Sequence, residues 1–152
     1  MTGLNIIIPL AGVGSRFSRD GFTRPKPFVR ANGKEIIIWL LENLQFISTD
    51  KLVLVYNEFP ARGPSLKNYF IIVHDFLAQL VPQARPEMQL VPLSAPTVGA
   101  AETVLLGIQA LEPRRRKLPC VLLDGDTFYS YDVISTFRSV SFHQDDKSWL
   151  KG

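Results

Sequence analysis

The sequence predicts a single α/β domain with a parallel sheet, and two features of its hydrophobic pattern indicate this. Four short runs rich in Ile, Val and Leu lack polar alternation, which is typical of strands covered on both faces. Between them, apolar residues recur at helical spacing. Strands that alternate with helices form parallel βαβ units with right-handed crossovers.

The predicted elements alternate along the whole chain. In order they are a strand at residues 5–10, a helix at 34–46, a strand at 52–56, a helix at 65–81, a strand at 88–92, a helix at 99–111, a strand at 120–124 and a weaker helix at 131–139. The third helix has a predicted apolar face of Ala101, Val104, Leu105, Ile108 and Leu111. Residues 12–33 show no hydrophobic period, and a loop this long inside a compact domain is usually functional.

Composition bounds the function. The chain has 152 residues, 46% of them hydrophobic, and a net charge of +3. Its only basic run, residues 114–117, is interpreted as a solvated loop, so no nucleic-acid partner is expected. One cysteine excludes an internal disulfide and a four-cysteine zinc site. The sequence has no apolar stretch near the roughly 20 residues of a membrane span and no signal-peptide pattern, which predicts a cytoplasmic protein.

A glycine-rich segment, Gly12, Gly14, Ser15 and Arg16, follows the first strand. Glycines let backbone N–H groups converge on an anion, and a hydroxyl and a guanidinium add phosphate donors. Phe17 breaks the G-x-G-x-x-G pattern, and no Gly-Lys-Ser/Thr is present. The segment therefore predicts either a phosphate-binding loop or an ordinary glycine-rich turn with a surface arginine.

Lys26 lies between Pro25 and Pro27. A residue that precedes proline is biased toward extended conformations, so the backbone at Lys26 is stiff and its amine is directed at low entropic cost. This suits a lysine that contacts a phosphate. An ordinary exposed lysine is the alternative.

Two further segments carry candidate residues. Asp124 and Asp126 flank a glycine at the end of the fourth strand, where they could hold Mg²⁺ with nucleotide phosphates; aspartates in a turn are the alternative. Small residues from Gly99 open the third helix and would let a flat ring approach the backbone. Close packing of the helix on the sheet is the alternative there.

In this order, the motifs resemble the sugar-phosphate nucleotidylyltransferases, the pyrophosphorylases that make nucleotide sugars. The resemblance spans residues 4 to about 140 and rests on residues 7–17, 25–29, 32–34, 99–101 and 123–126. It is closest to the branch that serves capsule, lipopolysaccharide and phosphocholine metabolism. It implies a Rossmann-like three-layer α/β/α sandwich of the nucleotide-diphospho-sugar transferase type, truncated at the C-terminus.

The resemblance also implies a reaction and a role for each matched residue. An NTP and a sugar 1-phosphate, or a related phosphate monoester, would give an NDP-sugar and pyrophosphate. Arg16 would neutralise the β- and γ-phosphates, and Lys26 would contact the α-phosphate. Asp126, with Asp124 beside it, would bind Mg²⁺. The remaining nucleotide-binding positions are Leu10, Ala11, Gly12, Gly14, Ser15, Ser94 and Gly99.

Two departures from the family pattern limit these implications. Ser94 stands where many relatives place a Gln that reads the base, so CTP, UTP and dTTP all remain open. Relatives also continue well beyond the metal-binding strand. We therefore expect residues 1–141 to be the NTP-binding part of a nucleotidyltransferase domain and residues 142–152 to be an atypical tail. Weak nucleotide binding, impaired turnover and self-association are expected.

Two alternatives belong to other functional classes. The first is a non-catalytic nucleotide-binding or regulatory module that pairs with another chain. The second is a fragment of a GT-A-type glycosyltransferase, because Asp124 and Asp126 resemble the metal motif of that fold. Arg16 and Lys26 argue against the glycosyltransferase, since they fit a triphosphate that loses pyrophosphate. A preference for NTP or for NDP-sugar would separate the two.

Overall fold

The computed structural model describes residues 3–11, 24–58 and 65–143, the last three by their backbone alone. Six strands lie in these ranges: β1 (Asn5–Leu10), β2 (Arg30–Ala31), β3 (Lys34–Glu35), β4 (Lys51–Asn57), β5 (Glu87–Leu93) and β6 (Cys120–Leu122). The described α-helices are α1 (Ile36–Glu42), α2 (Phe70–Ala78), α3 (Ala100–Gln109) and α4 (Val133–His143). Short 3-10 helices cover Lys26–Phe28, Leu66–Tyr69, Pro82–Ala84 and Arg115–Lys117.

Four parallel strands form the main sheet in the order β5-β4-β1-β6. The predicted alternation of strands and helices is confirmed, with ends that differ by a few residues. The chain moves outward from β1 to β4 and β5, then returns across the sheet to β6. The order of connection therefore reverses between β1 and β6, and their carboxyl ends define the switch point of the sheet.

Helices cover both faces of the sheet, which makes three layers. On one face, apolar side chains of β1 and β4 pack against α1, α2 and α4. On the other face, Ile7, Val53 and Val55 form a smaller core with α3 and the chain after it. All but one residue of each central strand is buried, which confirms the prediction that both faces are covered. The edge strands are only partly covered: Leu122 of β6 is 52% exposed and Leu90 of β5 is 37% exposed.

Helix α3 and the chain after it pack on the sheet with only part of the predicted face, Ile108 and Leu111, together with small residues outside it. Thr103 and Gly107 are buried, whereas Ala101 and Leu105 are exposed. A Cβ added to Gly107 would lie 2.7 Å from Val55 Cγ2, so α3 approaches the sheet at the glycine. Small side chains allow this close approach, and the predicted stripe is therefore packed only at its C-terminal end.

The segment expected to be one long loop contains a hairpin. Strands β2 and β3 pair in antiparallel fashion around Asn32 and Gly33, which both have positive φ (50° and 84°). Asn and Gly are the residues that tolerate this conformation in a two-residue turn. The hairpin leads directly into α1, which begins at Ile36 rather than at Lys34.

A buried ion pair ties α4 to the amino ends of the strands. Arg138 donates to both carboxylate oxygens of Asp50 at 3.0 and 2.8 Å, and neither side chain is more than 6% exposed. The same carboxylate accepts hydrogen bonds from the backbone N–H groups of Leu4 and Ile47, each at 2.8 Å. The Asp50 carboxylate thus accepts four hydrogen bonds, all from groups within the fold.

The basic run of residues 114–117 is more than a solvated loop. Arg115 donates to Asn5 Oδ1 at 3.1 Å and to the backbone oxygens of Thr49 and Leu4 at 2.9 and 3.1 Å. Arg116 donates to two carbonyls at the end of α3. These side chains fasten the segment before β6 to the amino edge of the sheet. In the described ranges, no helix is long and apolar enough to cross a membrane.

Candidate functional site

The predicted site residues that the structure describes lie at the carboxyl edge of the main sheet. Leu10 ends β1, Ser94 follows β5, and Asp124 and Asp126 follow β6. Because the strands are parallel, these positions share one edge, which is where open α/β sheets bind ligands. Of the predicted residues, Gly12, Gly14, Ser15 and Arg16 lie outside the described ranges.

Lys26 is held at this edge by the residues that follow it. It begins the 3-10 helix Lys26–Phe28, so the turn replaces the extended backbone that the two prolines predicted. Phe28 is fully buried and stacks on Tyr69 with the ring centroids 5.4 Å apart. The buried ring anchors the turn, and Lys26 remains half-exposed.

Lys26 and Asp126 meet, although a hundred positions separate them in the sequence. The Lys26 ammonium lies 2.5 Å from Asp126 Oδ2, and both side chains are about 40% exposed. The hydrogen bond from Lys26 holds the pKa of the Asp126 carboxyl below its usual value, and partial burial opposes this shift. The carboxylate is therefore ionised at neutral pH and accessible, as a metal ligand must be.

Gly125, between the two aspartates, packs directly on the end of β1. An added Cβ would lie 2.4 Å from Leu10 Cδ2 and 3.2 Å from Ile8 Cγ2. Only a residue without a side chain fits there without moving the core. The close approach fixes the backbone of Asp124 and Asp126 against the strand that leads into the glycine-rich segment.

Asn57, the last residue of β4, joins the ends of two strands. Its Nδ2 donates to the carbonyl of Ala11, immediately after β1, at 2.7 Å. Its Oδ1 is buried and has no hydrogen-bond partner within the part of the chain that the structure describes. Sequence reasoning overlooked Asn57. The available signal was a polar residue directly after the buried run that the sequence predicted at residues 52–56.

The two candidates beyond β5 lie on an open segment. Ser94 and Gly99 are both exposed, and an added Cβ at Gly99 would meet nothing within 4 Å. The backbone N–H of Val98 donates to the Glu102 carboxylate at 2.6 Å, which orders the entry into α3. The surface beside Gly99 is free of side-chain obstruction, so close helix–sheet packing does not explain this glycine.

The residues at the end of β6 suit a magnesium ion that shares its coordination with phosphates. Mg²⁺ is usually held by one or two carboxylates together with substrate oxygens and water, rather than by a full protein cage. Asp124 and Asp126 are both exposed at the edge. The described part of the chain contains no cluster of three or more acidic, His or Cys residues, so phosphates and water would supply the other ligands.

The fold is a three-layer α/β sandwich that is also found in solved structures of other proteins. Similar structures include a nucleoside-diphosphate-sugar pyrophosphorylase from Vibrio cholerae RC9, with a TM-score of 0.62 and 23% identity over 87% of this chain and 52% of that one. HddC from Yersinia pseudotuberculosis matches with a TM-score of 0.56 and 20% identity over 89% of this chain and 53% of that one. UTP-bound UGPase from Acinetobacter baumannii matches with a TM-score of 0.58 and 20% identity over 91% of this chain and 53% of that one.

These likenesses establish the fold, and the chain spans about half the length of the structures it matches. No protein-family model matches the sequence, and no curated protein does. The predicted α/β fold is thereby confirmed.

Proposed function

We propose that the chain binds a nucleoside triphosphate at the carboxyl edge of its sheet and serves nucleotidyl transfer. The acceptor would be a sugar 1-phosphate or a related phosphate monoester, and pyrophosphate would leave. The observation that carries the proposal is the contact between Lys26 and Asp126 at the switch point between β1 and β6. A cation for phosphate and a carboxylate for metal meet there, on a fold shared with nucleoside-diphosphate-sugar pyrophosphorylases.

The chemistry needs charge neutralisation and positioning more than covalent catalysis. In this proposal Lys26 contacts the α-phosphate and Arg16 the β- and γ-phosphates. Asp126, aided by Asp124, would hold Mg²⁺, which supplies charge neutralisation when bound. No general base is required, because a phosphate oxygen of the acceptor is already an adequate nucleophile.

The base would lie between the segment after β1 and the segment after β5. Leu10 and Ala11 contribute backbone, followed by Gly12, Gly14 and Ser15. Ser94 and the unobstructed surface at Gly99 would border the other side. The resemblance to the capsule, lipopolysaccharide and phosphocholine branch suggests the class of acceptor, and a cytoplasmic location stays a prediction.

A thermal-shift panel on the purified chain tests the proposal. The chain is melted with Mg²⁺ and each of ATP, CTP, GTP, UTP and dTTP. A ligand at about 100 times its Kd stabilises a folded protein by roughly 2.7 kcal/mol. We expect one nucleotide to raise the melting temperature, and Arg16→Ala to abolish the rise. A cooperative melt that no nucleotide shifts would contradict the proposal.

A nucleotide-binding module without turnover is the second candidate, favoured by one observation. The chain covers 52–53% of the similar structures, so the resemblance does not extend to the rest of their length. Release of pyrophosphate from the preferred NTP and a panel of sugar 1-phosphates separates the two. Binding without release favours the module, and release that requires a second chain would identify its partner.

A further inference from the structure

We propose that the contact between Lys26 and Asp126 is an inhibitory ion pair, which the metal and the phosphates of the nucleotide open together. The inference rests on the proposed function and concerns the regulation of that same site. In the free protein, each side chain occupies the binding atom of the other, because the Lys26 ammonium lies 2.5 Å from Asp126 Oδ2. A cation that binds Oδ2 must displace the ammonium, and a phosphate that binds the ammonium must draw it away from the carboxylate.

The backbone on each side of this ion pair is held in place by the fold. Phe28, which ends the turn that Lys26 begins, is fully buried and stacks on Tyr69. Gly125, next to Asp126, packs so closely on the end of β1 that an added Cβ would overlap Leu10 Cδ2. The pair can therefore open by rotation of two side chains while the sheet stays in place, and the flexible four-carbon stem of lysine permits this rotation.

The exposure of the pair shows that ligands can reach it and open it. The side chains of Lys26 and Asp126 are 40% and 37% exposed, whereas those of Arg138 and Asp50 are 6% and 0% exposed. A buried pair is costly to separate, but a half-exposed pair contributes little stability, because water and salt screen it. The Lys26–Asp126 pair should therefore weaken binding of the first ligand by about two- to fivefold.

Because both ligands break the same ion pair, their binding is thermodynamically coupled. The ligand that binds first must separate Lys26 from Asp126, and the second then binds a side chain that is already released from this contact. The coupling is reciprocal, so the metal and the phosphates raise each other's affinity by the same factor. The site would thus favour a nucleotide that carries its metal over a free phosphate anion or a free cation.

The phosphate side of the ion pair is tested with inorganic tripolyphosphate in the absence of divalent cations. Calorimetry measures its binding to the wild type, to Asp126→Asn and to Glu112→Gln, a control that removes the same charge near the amino edge, where Glu112 pairs with Arg114. We expect Asp126→Asn to bind tripolyphosphate about two- to fivefold more tightly than the wild type, and Glu112→Gln to equal the wild type. Addition of Mg²⁺ should reverse the order, because Asp126→Asn has lost the carboxylate that would hold the metal. A gain of the same size in both variants, or no gain in Asp126→Asn, overturns the proposal.

The metal side is tested with Mn²⁺ in the absence of phosphate, which also covers the case in which Asp126→Asn does not fold. Mn²⁺ takes the same oxygen ligands as Mg²⁺, and EPR titration measures its binding to the wild type, to Lys26→Met and to Arg114→Met. Lys26→Met should bind Mn²⁺ about two- to fivefold more tightly than the wild type, although it should bind the preferred NTP with Mg²⁺ more weakly. Arg114→Met removes the same charge at the other edge and should match the wild type. Equal or weaker Mn²⁺ binding in Lys26→Met overturns the proposal.

The outcomes separate failure of this inference from failure of the proposed function. A wild type that binds an NTP with Mg²⁺, but whose variants lack either gain, would keep the proposed function and exclude the inhibitory pair. If the wild type binds no nucleotide, the proposed function itself fails, and the inference fails with it.

Discussion

The two edges of the main sheet use their polar groups in opposite ways. At the amino edge, the Asp50 carboxylate has four hydrogen bonds and is fully buried with Arg138. At the carboxyl edge, Lys26 and Asp126 form a half-exposed contact, and Asn57 Oδ1 has no hydrogen-bond partner among the described residues. The charged side chains at the amino edge are buried and bind each other, whereas Lys26 and Asp126 at the carboxyl edge are partly exposed and accessible to a ligand.

The difference follows from the topology. Segments at the amino edge only return the chain to the sheet, so their charged side chains can form ion pairs with one another. At the carboxyl edge, the order of connection reverses between β1 and β6, and open α/β sheets bind their ligands at such a switch point. Substitutions at the first edge should therefore change stability, and those at the second should change ligand affinity.

The largest effect is expected from Asp50→Ala. It removes the carboxylate that accepts two hydrogen bonds from the buried Arg138 guanidinium and one from each of two backbone N–H groups. Breaking a buried pair in this way should lower the free energy of unfolding by about 3–5 kcal/mol, as measured by urea denaturation. Lys34→Ala is the control: it breaks the more exposed pair with Glu42 and should cost less than about 1 kcal/mol. Similar losses in both variants would contradict the contrast between buried and exposed pairs.

Lys26→Ala should have the opposite profile. Loss of a charge-assisted contact to phosphate should weaken binding of the preferred NTP about 10- to 100-fold, while the unfolding free energy changes by less than about 1 kcal/mol. Calorimetric titration and urea denaturation on the same sample give both values. Arg114→Ala removes a cation that also pairs with a carboxylate, Glu112, near the amino edge, and should leave affinity unchanged. Equal effects on affinity in the two variants would show that general charge, not position, governs binding.

Gly125→Ala tests whether the backbone between Asp124 and Asp126 is packed tightly against β1. The new methyl group would overlap Leu10 Cδ2, and overpacking of this kind should cost about 1–2 kcal/mol, because a terminal methyl can move partly aside. Gly99→Ala has open space around its Cβ, and the loss of an N-cap glycine should cost less than about 1 kcal/mol. The melting temperatures of the two variants, measured by thermal unfolding, test this difference in stability. Equal melting temperatures would show that Gly125 is not confined by β1.

The sequence predicted what depends on local pattern. The buried runs at residues 5–10 and 52–56 became the central strands, because continuous apolar residues need cover on both faces. Lys26 and Asp126 were both predicted as site residues, and the structure brings them together. Their meeting follows from parallel strands, whose carboxyl ends share an edge.

What the sequence did not predict depends on long-range geometry. Asp50 and Arg138 are 88 positions apart, and neither lies in a motif. Helix α3 turns Gly107 and Thr103 to the sheet because close approach outweighs the larger apolar area of Leu105. Asn57 has no local signature beyond its place after a buried run, and its importance rests on neighbours that only the sheet order supplies.

The smallest effect should appear in the pH dependence of the Lys26–Asp126 pair. Lys26 lowers the pKa of Asp126, so this carboxyl stabilises the fold above its ordinary pKa and loses that contribution as the pH falls through the lowered value. In Lys26→Met the pKa of Asp126 should rise toward the ordinary value of 3.8, which carboxyl NMR titration measures. The stability difference between the two proteins should stay below about 1 kcal/mol, because both side chains are half-exposed, and it should vanish in acid. A difference that persists after Asp126 is protonated would mean that Lys26 stabilises the fold through contacts other than this carboxylate.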